Sequence, residues 1–519
     1  MHHTTNIRRV LVATALAVVA VVISVTFLVR NWPFTKQAVT QALQDRFARQ
    51  VEIREFHRTY FPPGCVAEGV NFLHRKRKDL PPLITVQSLR IRGSYAGFLR
   101  FHKSVPQIQV VGLHVLVPPK NGSGGGGSKS VMPLTNSTSG KQLGIDELAT
   151  EDAVLEFLPG APGKESFKLQ IHRVRLEQVG ENGSIPFHAA LLNTEPPGEI
   201  ESDGRIGPWN EDDPGSTPVS GSYTYEHVNL SVFEGIAGTL SSRGTYSGNL
   251  AHLDAEGETD VPNFRVSTGG NHTVHLTSNY TAVIDATNGD TFLQSVQSHF
   301  RRTTIISKGA ISGRPGSHGK TTALDMTVKD GRVEDLLYLF DEDKKPSMTG
   351  TLRLNAKVEV PPGPIGFLTK LNLGSDIGVG GGRFTNPVVQ MPVNRLTKSA
   401  EGETKKQEEA DPATALSNLR GRVTVKNGIA TLSDISFTAP GTFAEIAGTY
   451  NLLNKTIDLR GVLHTNGKLS DTTSGFKAIV LKGLSPFLKK KSVTVVPFTI
   501  TGTSAHPVFG LDLDGKRRL

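Results

Sequence analysis

The sequence predicts a mainly β protein, in which an N-terminal transmembrane helix is followed by an elongated antiparallel β body with a few short helices. Three observations carry that expectation. One uncharged apolar run of twenty residues stands near the N-terminus, apolar residues recur with period two from Val51 onward, and Asn-Gly or Asp-Gly turn signals punctuate the chain to its end. Composition agrees: 37% of the 519 residues are hydrophobic and 54 are glycine, an ordinary globular content that excludes disorder throughout. Length alone would suggest several domains, but a β body that grows along one axis escapes that limit.

Several function classes are disfavoured at once. Aromatic residues make up 7% of the chain with two Trp, too few for the aromatic platforms that bind sugars or stack bases. The single cysteine, Cys65, excludes an intrachain disulfide and any Cys-rich metal site. A formal charge of +9 resembles a nucleic-acid signature until it is located. Residues 1–120 hold 17 Lys/Arg against 5 Asp/Glu, whereas the remainder holds 40 against 43. The excess follows the apolar run, which fits an anionic bilayer and no nucleic acid.

Val10–Val29 is that run, bounded by Arg8, Arg9 and Arg30. At 1.5 Å per residue it spans roughly 30 Å, the hydrocarbon thickness of a bilayer. It is longer than the apolar region of a cleaved signal, and its small-x-small pair, Ala13 and Ala15, lies inside it, so an uncleaved signal anchor is expected. Residues 1–9 then form a short cytoplasmic tail, and the long domain crosses. Residues 33–49 follow as an amphipathic helix: Pro33 suits a first turn, and Phe34, Ala38 and Ala42, with Val39, Leu43 and Phe47, share a face.

An N-terminal β segment is expected over 51–120, where Leu113, Val115 and Val117 fall on one face. A Gly/Ser linker occupies 121–130, and the main β body runs over 143–515. Phe167, Leu169 and Ile171 alternate with polar residues, and the phase slips at Arg173 as a bulge would make it. A loose repeat of Gly-Thr before a strand recurs at Gly238, Gly350, Gly448 and Gly502. Short helices are expected at Thr291–Arg301, Val333–Phe340, Ala413–Leu419 and Ser474–Leu481, and loops at Thr194–Pro218 and over the charged insertion 398–412.

Chemical motifs are absent. Gly313–Thr321 (GRPGSHGKT) ends like a phosphate loop, but its glycines are one residue too far apart and a strand pattern follows, so it reads as a hairpin. His272 and His275 point to opposite faces of a strand, unsuited to joint metal ligation. No catalytic residue, metal ligand or cofactor is assigned, and the chain is not read as an enzyme. Two basic stretches bear on a membrane. Arg75, Lys76, Arg77 and Lys78 form the densest cationic run, either a solvated hairpin tip or a contact with anionic head groups at about 1 kcal/mol per charge. Gly475–Lys491 combines apolar residues with five lysines and reads as a helix closing a sheet end.

The anchor, the helix followed by RQVEIREFH, and the runs Gly238–Phe264, Ser278–Phe300 and Val496–Gly515 together resemble the AsmA-like family of membrane-anchored bacterial envelope proteins. That resemblance implies a twisted, U-shaped β-groove with an apolar inner face, located in the periplasm on an inner-membrane anchor. It implies a phospholipid or another acyl-chain amphiphile as cargo, carried for outer-membrane biogenesis. The period-two pattern meets this expectation independently, since a one-faced apolar meander must hide that face on itself or against an apolar ligand. Leu113, Val115, Val117, Phe167, Leu169 and Ile171 are the candidate lining, although ordinary core packing is the commoner role for such residues and periodicity does not separate the two. Some 25 strands at about 4.8 Å give a trough on the order of 120 Å, so either partial bridging completed by a second envelope protein or delivery from the anchoring membrane is expected, and not a complete conduit. The alternative is an assembly factor that receives outer-membrane proteins by strand addition.

Overall fold

The computed structural model describes residues 32–47, 49–73, 81–95, 104–117, 144–158, 166–179, 183–194, 196–208, 213–270, 272–314, 319–340, 346–385, 417–439, 442–465, 494–504 and 506–511. The protein is mainly β, as the period-two pattern predicts, with few helices. Among the described residues no helix is long and apolar enough to cross a membrane. The apolar run 10–29, the linker 121–130, the insertion 398–412 and the basic stretches 75–78 and 475–491 lie outside them. The chain divides into two compact units, one of Met1–Leu158, Lys168–Ala190 and Arg205–Thr217, the other of Pro159–Phe167, Leu191–Gly204 and Pro218–Leu519.

The first unit begins with helix α1 (Lys36–Phe47), within the expected 33–49. It is followed by β1 (Val51–Thr59), β2 (Gly64–Phe72), β3 (Ile84–Arg92), β4 (Ser104–Val117) and β5 (Gly144–Phe157). Strands β1 to β4 pair antiparallel in order and β5 joins β4 in parallel. The helix packs on one face of this sheet, against β1 and Phe72 of β2. Val39 is buried, and Leu43 and Phe47 pack on a core of Val51, Val70, Phe72, Val86 and Val110. Cys65 is wholly buried there, and desolvation pushes its thiol up to about 12. It is a packing residue, held in its inert protonated form.

Strands β6 (Phe167–Val179), β7 (Ile185–Thr194) and β8 (Pro197–Ile206) follow. In β6 the exposure pattern shifts phase across His172 and Arg173, where the sequence places the slip. Strand β8 corrects one expectation, because the stretch 194–218 contains a ten-residue strand as well as a short 3₁₀ turn.

The second unit is a meander. Strand β9 (Pro218–Asn229) pairs with β11 (Thr239–Asn249), past the two-residue β10 (Ile236–Ala237). From β11 every strand then pairs antiparallel with the next, through β12 (His252–Val266), β13 (Val274–Asp285), β14 (Asp290–Phe300), β15 (Thr303–Gly313), β16 (Lys320–Arg332), β17 (Met348–Val360) and β18 (Asn372–Phe384). The series continues through β19 (Ser417–Lys426), β20 (Ile429–Ala439), β21 (Thr442–Asn451), β22 (Thr456–Thr465), β23 (Thr494–Thr503) and β24 (Pro507–Leu511). Gly313 pairs with Lys320, so the phosphate-loop-like run is a hairpin connection.

One expected helix proves to be strand, and so does the described end of a second. Thr291–Arg301 overlaps β14, where the three-residue step from Leu293 to Val296 comes from a register shift between those residues. A bulge adds one residue to a period of two and thereby imitates helical spacing. The described end of Ala413–Leu419 likewise belongs to β19. Val333–Phe340 does form a helix, α2, and a one-turn helix α3 (Phe367–Lys370) follows it.

The fold also explains the Gly-Thr repeat. Gly238, Gly350, Gly448 and Gly502 all have positive φ, at 144°, 155°, 143° and 92°. Gly350 sits at the register shift between Thr349 and Thr351. A Cβ on Gly448 would meet the Asp458 carbonyl oxygen at 2.2 Å, so the repeat marks places where only glycine fits both the backbone and the neighbouring strand. Asn427 and Gly428, both at positive φ, close the β19–β20 hairpin between the paired Lys426 and Ile429. Asp330-Gly331 differs from the other turn signals, since it lies at the end of β16 leading into α2.

Helix α2 is clamped by its acidic first turn. Asp335 is fully buried and accepts from Arg301 Nε at 3.1 Å, the Arg302 amide at 3.0 Å and the Thr303 hydroxyl at 3.0 Å. Glu334 accepts from Arg302 at 2.9 Å and from the Gly350 amide at 3.0 Å. Carboxylates belong at a helix start, and here they tie it to the β14–β15 turn and to β17. Arg301 lies 4.3 Å over the Tyr338 ring, whose other neighbour is the stacked His272 at 4.5 Å.

Candidate functional site

Directly paired residues of antiparallel strands share a face. Following the register across the second unit therefore traces one surface. It starts at Tyr223, Gly244, Gly257 and Tyr280 and passes through Val296, Ser307, Met326 and Ala356. From Ser375 it continues through Val423, Leu432, Gly448 and Leu459 to Ile500. Parallel rows flank it, such as Leu354 with Ile377, and Ile435 with Ile446.

The opposite face is charged and solvated, with cross-strand pairs such as Lys357–Asp325 at 3.5 Å and Arg422–Asp376 at 3.1 Å. On the apolar face, α2 covers the rows around Val328, Leu352 and Val379, which are 1–3% exposed. Beyond that helix the aliphatic side chains at Val423, Leu432, Ile446, Leu459 and Ile500 are only half-buried. Among the described residues no second layer packs on the apolar face of β19 to β23. Ala444 and Leu463, with Phe437 and Phe498 against them, form a small buried cluster there, and the paired Val425 and Ala430 are buried as well.

The same face changes character along its length. Over β8 to β14 it carries tyrosines and serines whose rings lie on glycines of the next strands. The Tyr223 and Tyr280 hydroxyls stand 2.9 and 3.0 Å from where a Cβ of Gly257 would be, and Tyr246 stands at 2.9 Å over Gly221. Bulkier residues at these glycines would lift the rings. Their protons are committed. Ser242 donates to the Glu258 carbonyl at 3.0 Å, so Tyr223 donates to Ser242 at 3.0 Å and Tyr280 to Tyr223. Ser202 donates to the Ser222 carbonyl at 2.9 Å, so Tyr246 donates to Ser202 at 2.6 Å. Burial pushes the phenols of Tyr223, Tyr225 and Tyr246 up from their ordinary values, which keeps them donors.

The sequence candidates divide between the units. Leu113 and Val115 pack against the helix-covered core of the first unit, and Val117 is buried, so these three serve as core. Phe167, Leu169 and Ile171 are half-buried in β6, and Phe167 lies against Gly289. Period two identifies the inward set on each strand but not which strands a helix covers. The half-exposed rows of β19 to β23 were therefore missed, although their alternation is visible in the sequence. Arg75–Lys78 lie outside the described residues; the strand ends on either side of them, Phe72 and Ile84, pair at the end of β2 remote from Gly64.

A shallow cleft of about 830 Å³ lies on the polar face, with Glu201, Asp203, Glu256 and Glu258 among its lining. These carboxylates are exposed, and Glu258 is paired with Arg243. Among the described residues no three metal-ligating side chains converge. His272 bonds the Tyr338 carbonyl and His275 pairs with Asp260. In comparisons with family models, curated proteins and solved structures, the chain matches none.

Proposed function

We propose that this chain is an inner-membrane-anchored envelope protein whose body, in the periplasm, binds the acyl chains of a phospholipid or similar amphiphile and helps transfer them for outer-membrane biogenesis. The observation that carries this reading is the largely aliphatic face of β19 to β23, with Val423, Leu432, Ile446, Leu459 and Ile500 half-buried and no covering layer among the described residues. An uncovered apolar sheet face is unfavourable in water, and each methylene removed from water against it contributes about 0.8 kcal/mol. No covalent chemistry is required, and the committed hydroxyls of β8 to β14 leave mainly ring surface on that stretch. The resemblance to AsmA-like proteins supports the cargo and the compartment.

The test is mass spectrometry of lipids that remain with the purified full-length chain, before and after delipidation. Phospholipid retained and then rebound in saturable amounts is the expected outcome; a delipidated chain that takes up no lipid above background refutes it. One feature favours the assembly-factor alternative: β24 pairs with β23 alone among the described residues, and Val508 on it is exposed. Photo-crosslinkers at Leu432 and Ile500 separate the two, trapping lipid under the first reading and polypeptide under the second.

A further inference from the structure

The first unit carries a feature that lipid binding by the second does not use. Trp32 is 4% exposed and packs on Phe34 and Tyr60, with ring centroids 6.2 and 4.9 Å away. It follows Val29, the last residue of the apolar run, by three positions, at most about 11 Å of extended chain. Covalent geometry alone thus keeps Trp32 within that distance of the run. From Trp32 the chain runs along α1 to Phe47, whose ring meets Phe72 at 4.9 Å. Strand β1 then returns, from Val51 opposite Phe72 to Thr59 opposite Gly64. The β1–β2 turn is thereby brought back beside Trp32.

That turn presents Phe61, the most exposed large apolar residue described, at 90%. Tyr95 stands 6.0 Å from it and donates to the Tyr60 carbonyl, and both tyrosines are themselves exposed. The same end of the sheet carries exposed Arg58, Arg90 and Arg92, opposite Cys65, Val66 and Gly64. The nearest acidic residues on these strands, Glu55 and Glu68, face each other further along. An exposed phenylalanine, flanking tyrosines and arginines behind them match the layers of a bilayer interface: acyl boundary, head groups, anionic surface.

We propose that the β1–β2 turn is a second point of contact with the anchoring bilayer, with Phe61 reaching the acyl boundary and Arg58, Arg90 and Arg92 against anionic phosphates. This rests on reading residues 10–29 as the anchor, and the experiment separates the two. The full-length chain with Cys65→Ala is given one cysteine at a time, by Phe61→Cys, Val29→Cys or Glu52→Cys, labelled with an environment-sensitive nitrobenzoxadiazole dye. Each is reconstituted in phosphatidylethanolamine–phosphatidylglycerol vesicles that carry a spin-labelled quencher lipid. Glu52 is exposed at the far end of β1, roughly 23 Å from Thr59. Quenching at 29 and 61 but not at 52 is the expected result. Quenching at 29 alone, or equally at 52 and 61, overturns the contact while the anchor stands. No quenching at 29 removes the anchor and the proposal with it. Shielding of position 61 that rises with protein density, without lipid quenching, assigns the turn to a second copy and also overturns it.

Discussion

Leu432 lies mid-way along the half-buried aliphatic face, two strands from Leu459 through Gly448. Two strand spacings are about 9.6 Å. An acyl chain crossing the strands therefore touches both residues. Over one strand spacing it presents roughly four methylenes, and a one-sided lining removes about half of their surface from water. Replacing Leu432 with Asp forfeits that contact, about 1.6 kcal/mol, and adds a carboxylate that must stay hydrated. The combined loss is at least about tenfold in occupancy. Thr431→Asp, one residue away on the solvated face, is the matched control. The assay is the yield of phospholipid crosslinked by a photo-reactive residue at position 459 of the full-length chain in membranes. Thermal midpoints of both variants are measured alongside, and Ile500→Ser serves as a milder inward change. A tenfold drop for Leu432→Asp with no drop for Thr431→Asp is expected. Equal yields from both, in folded proteins, would refute the assignment of this face to acyl chains.

Asp335→Ala should destabilise the second unit by about 3–5 kcal/mol, because it strands the Arg301, Arg302 and Thr303 donors around a fully buried site; thermal unfolding reads this directly. Gly448→Ala places a Cβ 2.2 Å from the Asp458 carbonyl at a φ of 143°, and should cost about 2 kcal/mol or more. Gly374→Ala, where no atom lies within 4 Å, should stay within about 0.5 kcal/mol in the same urea titration. Cys65, buried with its thiol held up near 12, should resist maleimide at pH 8 until urea unfolds the first unit; rapid native labelling would show that the α1-covered core is open.

Much of the architecture was legible along the chain. Period two is a local consequence of strand geometry, so the β class, the phase slip at Arg173 and the one-faced strands follow from residue order. The helices α1 and α2 were legible for a similar reason, since their apolar residues recur at three and four. The same rule failed at Thr291–Arg301, where a bulge between Leu293 and Val296 supplied a spacing of three within a strand. Backbone pairing decided that case, and only the neighbouring strand could reveal it. The Gly-Thr repeat was visible as a pattern, but its cause, a positive φ with a carbonyl against the missing Cβ at Gly448, required the partner strand.

Residue order therefore determined which side chains share a face, because alternation is local. It did not determine which faces are covered, because coverage depends on elements far apart in sequence. Leu113 and Val115 alternate as cleanly as Leu432 and Leu459, yet the first pair packs against the buried core that Val39 of α1 joins and no layer among the described residues covers the second. The return of β1 to Trp32, which sets the β1–β2 turn beside that ring, is likewise a product of packing: Phe47 on Phe72 fixes where the helix ends, and strand pairing fixes where the chain comes back.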